Sequence, residues 1–128
     1  MNVLLDTHAF LWLLAGDKRA PARARRMFED PANTVTLSLA SMWEMSIKVS
    51  LGKLEVPGPL QTFLAEQLAE NGIQTLDIAF RHVCAVETLP FHHRDPFDRL
   101  LAAQCLEDGL PILSADPIFE RYGVKRIW

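Results

Sequence analysis

Four carboxylates stand where this chain changes from strand to helix. Asp6 follows Asn2-Val3-Leu4-Leu5, an apolar run that reads as a short buried strand, and precedes Ala9-Phe10-Leu11-Trp12-Leu13-Leu14, which reads as an apolar helix. Glu44, Asp98 and Asp116 fall at comparable hand-over points further on. In open α/β sheets ligands bind outside the carboxyl ends of the strands, so the four acids are expected on one rim. Such clustering is costly: two carboxylates ~4 Å apart repel by ~4 kcal/mol at an effective dielectric of ~20. Protonation or a cation between them relieves the repulsion. An all-oxygen donor set suits Mg²⁺ or Mn²⁺ rather than zinc. Magnesium also accepts phosphate oxygens, which points to phosphoryl chemistry. In two-metal sites one ion activates the attacking water and the other stabilises the leaving oxygen. Thr7 and Ser114 adjoin two of the acids and are expected to orient carboxylates or waters, or else to bond to local backbone.

Each acid also has a plain structural role open to it. Asp6 suits a helix N-cap, and Ser41-x-x-Glu44 has the form of a capping box. Asp95-Pro96-Phe97-Asp98 suits a cap, a proline at the first helical position and an acid favoured by the helix dipole. Asp116-Pro117 repeats the cap-then-proline form. Capping does not require four acids on one edge, which favours the metal reading. Lys48, one turn after Glu44, either pairs with it at i,i+4 or faces a scissile phosphate; Arg99 is a similar case. His92-His93-Arg94-Asp95 has the composition of a metal tract, but adjacent loop histidines rarely face one ion. His8, near Asp6, either contacts substrate or, the preferred reading, is a partly buried structural histidine. Lys18, Arg19, Arg23, Arg25 and Arg26 form either a solvated helix face or a contact to an RNA backbone. Trp12, Trp43 and Trp128 read as core or interface residues.

The elements that would position these groups alternate. Strands are expected over residues 3–5, 34–38, 73–76 and 112–114, with a last edge strand over 124–128. Helices are expected over residues 9–14, 22–29, from Ser38 or Ser41 to about Val49, over 60–70, 78–89 and 97–108, with a short turn after Pro117. Alternation of this kind implies a parallel sheet with helices on both faces. The 128 residues suit one domain, 1–128, with a core of its own. Composition is that of an ordinary globular chain, 49% hydrophobic and 23% charged. A net charge of −3 supplies no global field for nucleic acid, so phosphate binding must be local. Cys84 and Cys105, each in a helical pattern, read as reduced buried thiols of a cytoplasmic protein. The first fourteen residues lack a basic n-region, and no apolar run approaches the ~20 residues of a membrane span. Dinucleotide-binding, Walker A and nucleophile-elbow motifs are absent. Asp6 also lacks the second aspartate of an aspartyl-phosphate phosphatase.

With these residues in place the chain resembles the PIN-domain family, and within it the VapC-type toxins of type II toxin–antitoxin pairs. The likeness rests on Leu4-Leu5-Asp6-Thr7-His8, then Ser41-Met42-Trp43-Glu44 with Lys48 and Gly52-Lys53-Leu54. It continues through His93-Arg94-Asp95-Pro96-Phe97-Asp98-Arg99-Leu100-Leu101-Ala102-Ala103-Gln104 and Leu113-Ser114-Ala115-Asp116, in family order from end to end. The resemblance implies an α/β fold of PIN type, a three-layer α/β/α sandwich around a mainly parallel sheet of four to five strands. It implies a Mg²⁺- or Mn²⁺-dependent endoribonuclease whose catalytic and metal-binding acids are Asp6, Glu44, Asp98 and Asp116. Asp98 fits the family's D-x-x-[LI]-A-A pattern better than Asp95, which is left to capping or outer support. The implied partners are an RNA substrate, a second copy of the chain, and a VapB-type antitoxin whose C-terminal segment covers the groove. Operator DNA would be reached only through the antitoxin complex. The alternative is a non-catalytic dimeric module that serves chiefly in that operator complex.

Overall fold

The computed structural model describes residues 1–128. Its elements run β1 (Asn2–Leu5), α1 (Thr7–Ala15), α2 (Ala22–Glu29), β2 (Thr34–Ser38), α3 (Leu39–Ser50), α4 (Leu60–Glu70) and β3 (Gln74–Leu76). They continue with α5 (Phe80–Ala85), a 3₁₀ turn (Val86–Thr88), α6 (Pro96–Asp108), β4 (Ile112–Leu113), α7 (Ile118–Arg121) and β5 (Arg126–Ile127). The five strands form one parallel sheet in the order β3-β2-β1-β4-β5.

Side-chain alternation divides the core into two layers. On β1, Val3 and Leu5 face one side and Leu4 the other. Val35, Leu37 and Leu113 join the first side, where Phe10 and Leu13 of α1, Ala24 of α2 and Leu64 of α4 cover the sheet. Ile112 joins Leu4 on the second side, under Leu101, Ala102 and Cys105 of α6 and Phe119 of α7. Each fully buried Leu, Ile or Phe contributes about 1.5–3 kcal/mol, and β1, covered on both faces, sits at the centre. The result is the expected three-layer sandwich.

The strand order gives the sheet a switch point. From β1 the chain moves outward to β2 and β3, then returns to the other side of β1 as β4 and β5. The crevice between the carboxyl ends of β1 and β4 is where such sheets bind ligands. Glycines in left-handed conformation stop the two helices flanking it: Gly16 ends α1 at φ 65° and Gly109 ends α6 at φ 65°.

Several expectations need correction. The helix expected over 78–89 is shorter. It begins at Phe80, where the Nδ1 atom of His82 accepts the Ala79 N–H, and after Ala85 the chain tightens into the 3₁₀ turn. On so short a helix only one face is covered: His82 is buried, while Val83 and Cys84 are exposed, so Cys84 is not a core thiol. Trp43 is 58% exposed and is not a core residue. His8 is exposed, its ring lying 5.8 Å from that of Trp12. No helix is long and apolar enough to cross a membrane.

Candidate active site

The sheet's hydrogen bonds place the first carboxylate. Leu5 pairs with Leu37 on one side and Leu113 on the other, and the next amide, Asp6 N–H, still donates to Leu113 O at 3.1 Å. Asp6 therefore emerges at the centre of the sheet's carboxyl edge. It occupies the N-cap position of α1, but its side chain makes no capping bond. Instead its Oδ2 accepts the hydroxyl of the fully buried Ser114 at 2.6 Å. The same Ser114 Oγ accepts the Asp116 N–H at 3.0 Å, which ties the loop after β4 to Asp6 across the switch point.

Glu44 lies on the second turn of α3. The cap of that helix is Ser38, whose hydroxyl accepts the Ala40 N–H at 3.0 Å, so the capping box expected at Ser41 is not formed. Ser41 lies inside the helix with its Oγ buried and unpartnered. Freed from capping, Glu44 Oε1 accepts the Thr7 hydroxyl at 2.7 Å and Oε2 meets Lys48 Nζ at 2.9 Å. Thr7 is buried, and Lys48 is about one-third exposed. Lys48 thus forms the i,i+4 pair while remaining open to solvent.

Asp98 is in the first turn of α6. Asp95 caps that helix through Oδ1, which accepts the Phe97 N–H at 2.8 Å and the Asp98 N–H at 3.2 Å. The Asp98 carboxylate is left facing the rim, where its Oδ2 lies 2.9 Å from His93 Nε2. Donor atoms of His93, Asp98 and Asp116 lie within 4.8 Å of one another. Asp116 is shared, its Oδ1 also accepting the Ile118 N–H at 3.0 Å.

The electrostatics report the crowding. Burial first, and then the charges of Asp6, Asp95, Glu44 and Asp116, together raise the Asp98 carboxyl to about 8. Burial likewise raises Asp6 above the usual carboxylate range; the Ser114 hydroxyl and His8 oppose this, and Glu44 reinforces it. Asp98 and Asp116 thus bring carboxylate oxygens within one cation's reach, of the kind a hard divalent cation prefers, whereas Asp6 and Glu44 act on Asp98 through their charges and do not join that group.

The remaining expected residues divide. Arg99 does not reach the rim: it is buried, and its guanidinium donates to Pro90 O at 2.8 Å, Val86 O at 3.3 Å, Leu89 O at 3.4 Å and the Tyr122 hydroxyl at 3.2 Å. The basic cluster is broken up. Arg19 pairs with Asp17 at 2.7 Å, holding that carboxyl down at about 2, and lies over the Trp12 ring. Lys18, Arg23 and Arg26 face solvent. The two adjacent histidines part: His92 packs edge-on to Tyr122, and His93 turns to Asp98. In the sequence His93 stands out only as part of the His92–Asp95 tract, and the wholly buried Gln104 only as the end of a motif, with no role for either. Gln104 takes the Ser38 hydroxyl at 2.6 Å and donates to Asp77 O at 3.2 Å, tying α6 to the ends of β2 and β3. A pointer to His93 existed in its place two residues before the cap of α6.

A profile of the PIN domain matches residues 3–125. Among characterised proteins, the chain is 33% identical to "Ribonuclease VapC16" of Mycobacterium tuberculosis over 69 residues, which is 54% of this chain and only 48% of that protein. It is 28% identical to "Ribonuclease VapC22" of the same organism over 116 residues, covering 90% of this chain and 87% of the other. Among solved structures it resembles VapBC2 from Rickettsia felis bound to a promoter DNA fragment (TM-score 0.74, 15% identity, 99% and 98% of the two chains). It also resembles DNA-bound VapBC from Salmonella typhimurium (TM-score 0.67, 17% identity, 99% and 97%). At those identities the likeness is one of fold.

Proposed function

The chain belongs to the PIN domain family, and from that premise we propose that it is a metal-dependent endoribonuclease toxin of VapC type, neutralised by a cognate antitoxin. One observation supports the reading: Asp98 and Asp116 offer carboxylate oxygens within 4.8 Å of one another, and Asp6 and Glu44 come near enough for their charges to act on Asp98. The ribonuclease names of the two relatives point the same way. These four side chains would hold Mg²⁺ or Mn²⁺. When bound, the cation polarises a phosphodiester oxygen and makes water nucleophilic at neutral pH.

The chain's own contribution is orientation. Ser114 holds Asp6 by donating to its Oδ2. Thr7 holds Glu44 by donating to Oε1, while Oε2 meets Lys48. Lys48 Nζ, held at Glu44 yet partly exposed, is placed to meet a phosphate oxygen. In the hydrolysis a water oxygen bonds to phosphorus, the bond to one ribose oxygen breaks, and that oxygen leaves with a proton. Single-stranded or loop RNA suits a rim of this kind, because its backbone can be splayed across the strand ends.

The partner reading rests on other surfaces. A cavity of about 440 Å³ between α1, α4 and the segment after α3 is lined by Leu11, Trp12, Leu14, Val56 and Phe63. It suits an apolar segment of the antitoxin. The structural neighbours, two of them DNA-bound VapBC complexes, favour a second role for the same chain: operator DNA reached through the antitoxin, from a cytoplasmic location.

The test is cleavage of total RNA by the purified, antitoxin-free protein with Mg²⁺ or Mn²⁺, beside EDTA and Asp6→Asn controls. Discrete cleavage lost in both controls is expected. Cleavage that persists in the folded Asp6→Asn protein would overturn the assignment of the acids. No cleavage by the folded wild type would shift the reading to the operator-binding module.

A further inference from the structure

We propose that His93 is a positioning residue for Asp98: its imidazole donates a hydrogen bond to the carboxylate and does not itself join the ligand set. The inference rests on the reading of Asp98 as a cation ligand. Proximity alone would favour the opposite view, since His93, Asp98 and Asp116 offer three donor atoms within 4.8 Å. The ring's other nitrogen decides between them. His93 Nδ1 accepts the Arg94 N–H at 2.9 Å and lies 3.4 Å from the Asp95 N–H. A nitrogen that accepts carries no proton, so the ring proton is on Nε2. That atom faces Asp98 Oδ2 at 2.9 Å. Coordination needs a free lone pair on Nε2. Moving the proton to Nδ1 would set it against two backbone N–H groups.

The loop that presents His93 is built to hold this geometry. The His93 N–H donates to the Tyr122 hydroxyl at 3.0 Å. The same hydroxyl receives Arg99, whose guanidinium also binds the carbonyls of Val86, Leu89 and Pro90 and lies 4.3 Å from the centre of the Phe91 ring. Arg99 is the residue after Asp98. One buried side chain therefore fixes the segment that delivers His93 to its neighbour's carboxylate. In many metal sites a histidine ligates and a carboxylate orients it; here the roles are exchanged. With Oδ2 accepting the Nε2–H hydrogen bond, Asp98 keeps Oδ1 and its remaining lone pairs for the cation.

The tautomer is read directly by long-range ¹H–¹⁵N correlation on the ¹⁵N-labelled full chain, free of antitoxin, before and after saturation with diamagnetic Mg²⁺. The expected result is a pyridine-like Nδ1 and a protonated Nε2 in both states. Loss of the Nε2 proton on adding Mg²⁺ would make His93 a ligand and overturn the proposal.

Calorimetric titration with Mg²⁺ and Mn²⁺ supplies the second arm. Glutamine places an N–H donor where Nε2 was, so His93→Gln is expected to bind within about 3-fold of wild type. His93→Leu is expected to bind about 10–100-fold more weakly, as when outer partners of metal ligands are lost. Equal losses in both variants, or none in either, would refute the positioning role while the cation reading stands. If the wild type bound neither ion, that reading would fall and this inference with it.

Discussion

Asp98 couples the site to the stability of the protein. Without a cation its carboxyl is raised from 3.8 to about 8, by burial first and then by the surrounding acids. Between those values the folded chain keeps a proton that the unfolded chain has lost. The corresponding stability is present in full below about pH 4 and is lost progressively as the pH rises to about 8. In EDTA, the urea midpoint should therefore fall between pH 5 and pH 8. Asp98→Asn should flatten that slope and stabilise the cation-free protein at pH 8 by about 1–3 kcal/mol. Saturating Mg²⁺ should restore the wild-type midpoint by binding only the folded state. A midpoint in EDTA that rose with pH would contradict the account. Ser114 is the complementary case. Ser114→Ala removes the donor to Asp6 Oδ2 without disturbing the sheet, and it should lower cleavage about 10–100-fold at an unchanged circular dichroism spectrum.

The second helix and second strand fell where pattern alone placed them, because an opening proline and a β-branched run are local signals. The acids were legible for the same reason, each lying a fixed step from a strand end or a helix start. What local pattern does not contain is the partner of a polar group. Ser41 has the form of a cap, yet the chain turns into α3 three residues earlier, at Ser38. Arg99 has the place of a substrate contact, yet it points back beneath the loop before α6. The 3₁₀ turn that follows α5 belongs to the same network, since Arg99 binds the carbonyls of Val86 and Leu89. Removing this side chain strands several carbonyls at once. Arg99→Leu should destabilise the protein by about 2–4 kcal/mol in urea denaturation and should also weaken Mg²⁺ binding by loosening His93. Arg99→Lys should recover little, because a single ammonium cannot fork between Tyr122 and the loop carbonyls. Full recovery by lysine would show that charge alone matters there.

Seen from outside, the molecule carries more apolar surface than single scattered side chains account for. On α3, Leu39 and Trp43 lie one turn apart on one face, and Leu51 follows at the C-cap; Trp43 and Leu51 are 58% and 62% exposed. On α5, Phe80 is 86% and Val83 57% exposed, and in the loop before α6 Phe91 is 85% exposed. Both helices pack on α6, the helix that carries Asp98. None of these side chains lines the α1–α4 cavity, and a second copy of the chain is predicted to seat on them. A self-interface of this kind draws most of its energy from a few large apolar anchors. Charging one anchor forfeits its burial, about 1.5–3 kcal/mol, and charging two should weaken self-association more than ~100-fold. The double variant Trp43→Glu, Leu51→Glu should therefore sediment as a monomer at micromolar concentration, where the wild type is expected to sediment as a dimer. Phe63→Ser, in the cavity, should leave the dimer intact and weaken capture of the antitoxin. If the double variant stayed dimeric while Phe63→Ser dissociated it, the two surfaces would have to exchange roles.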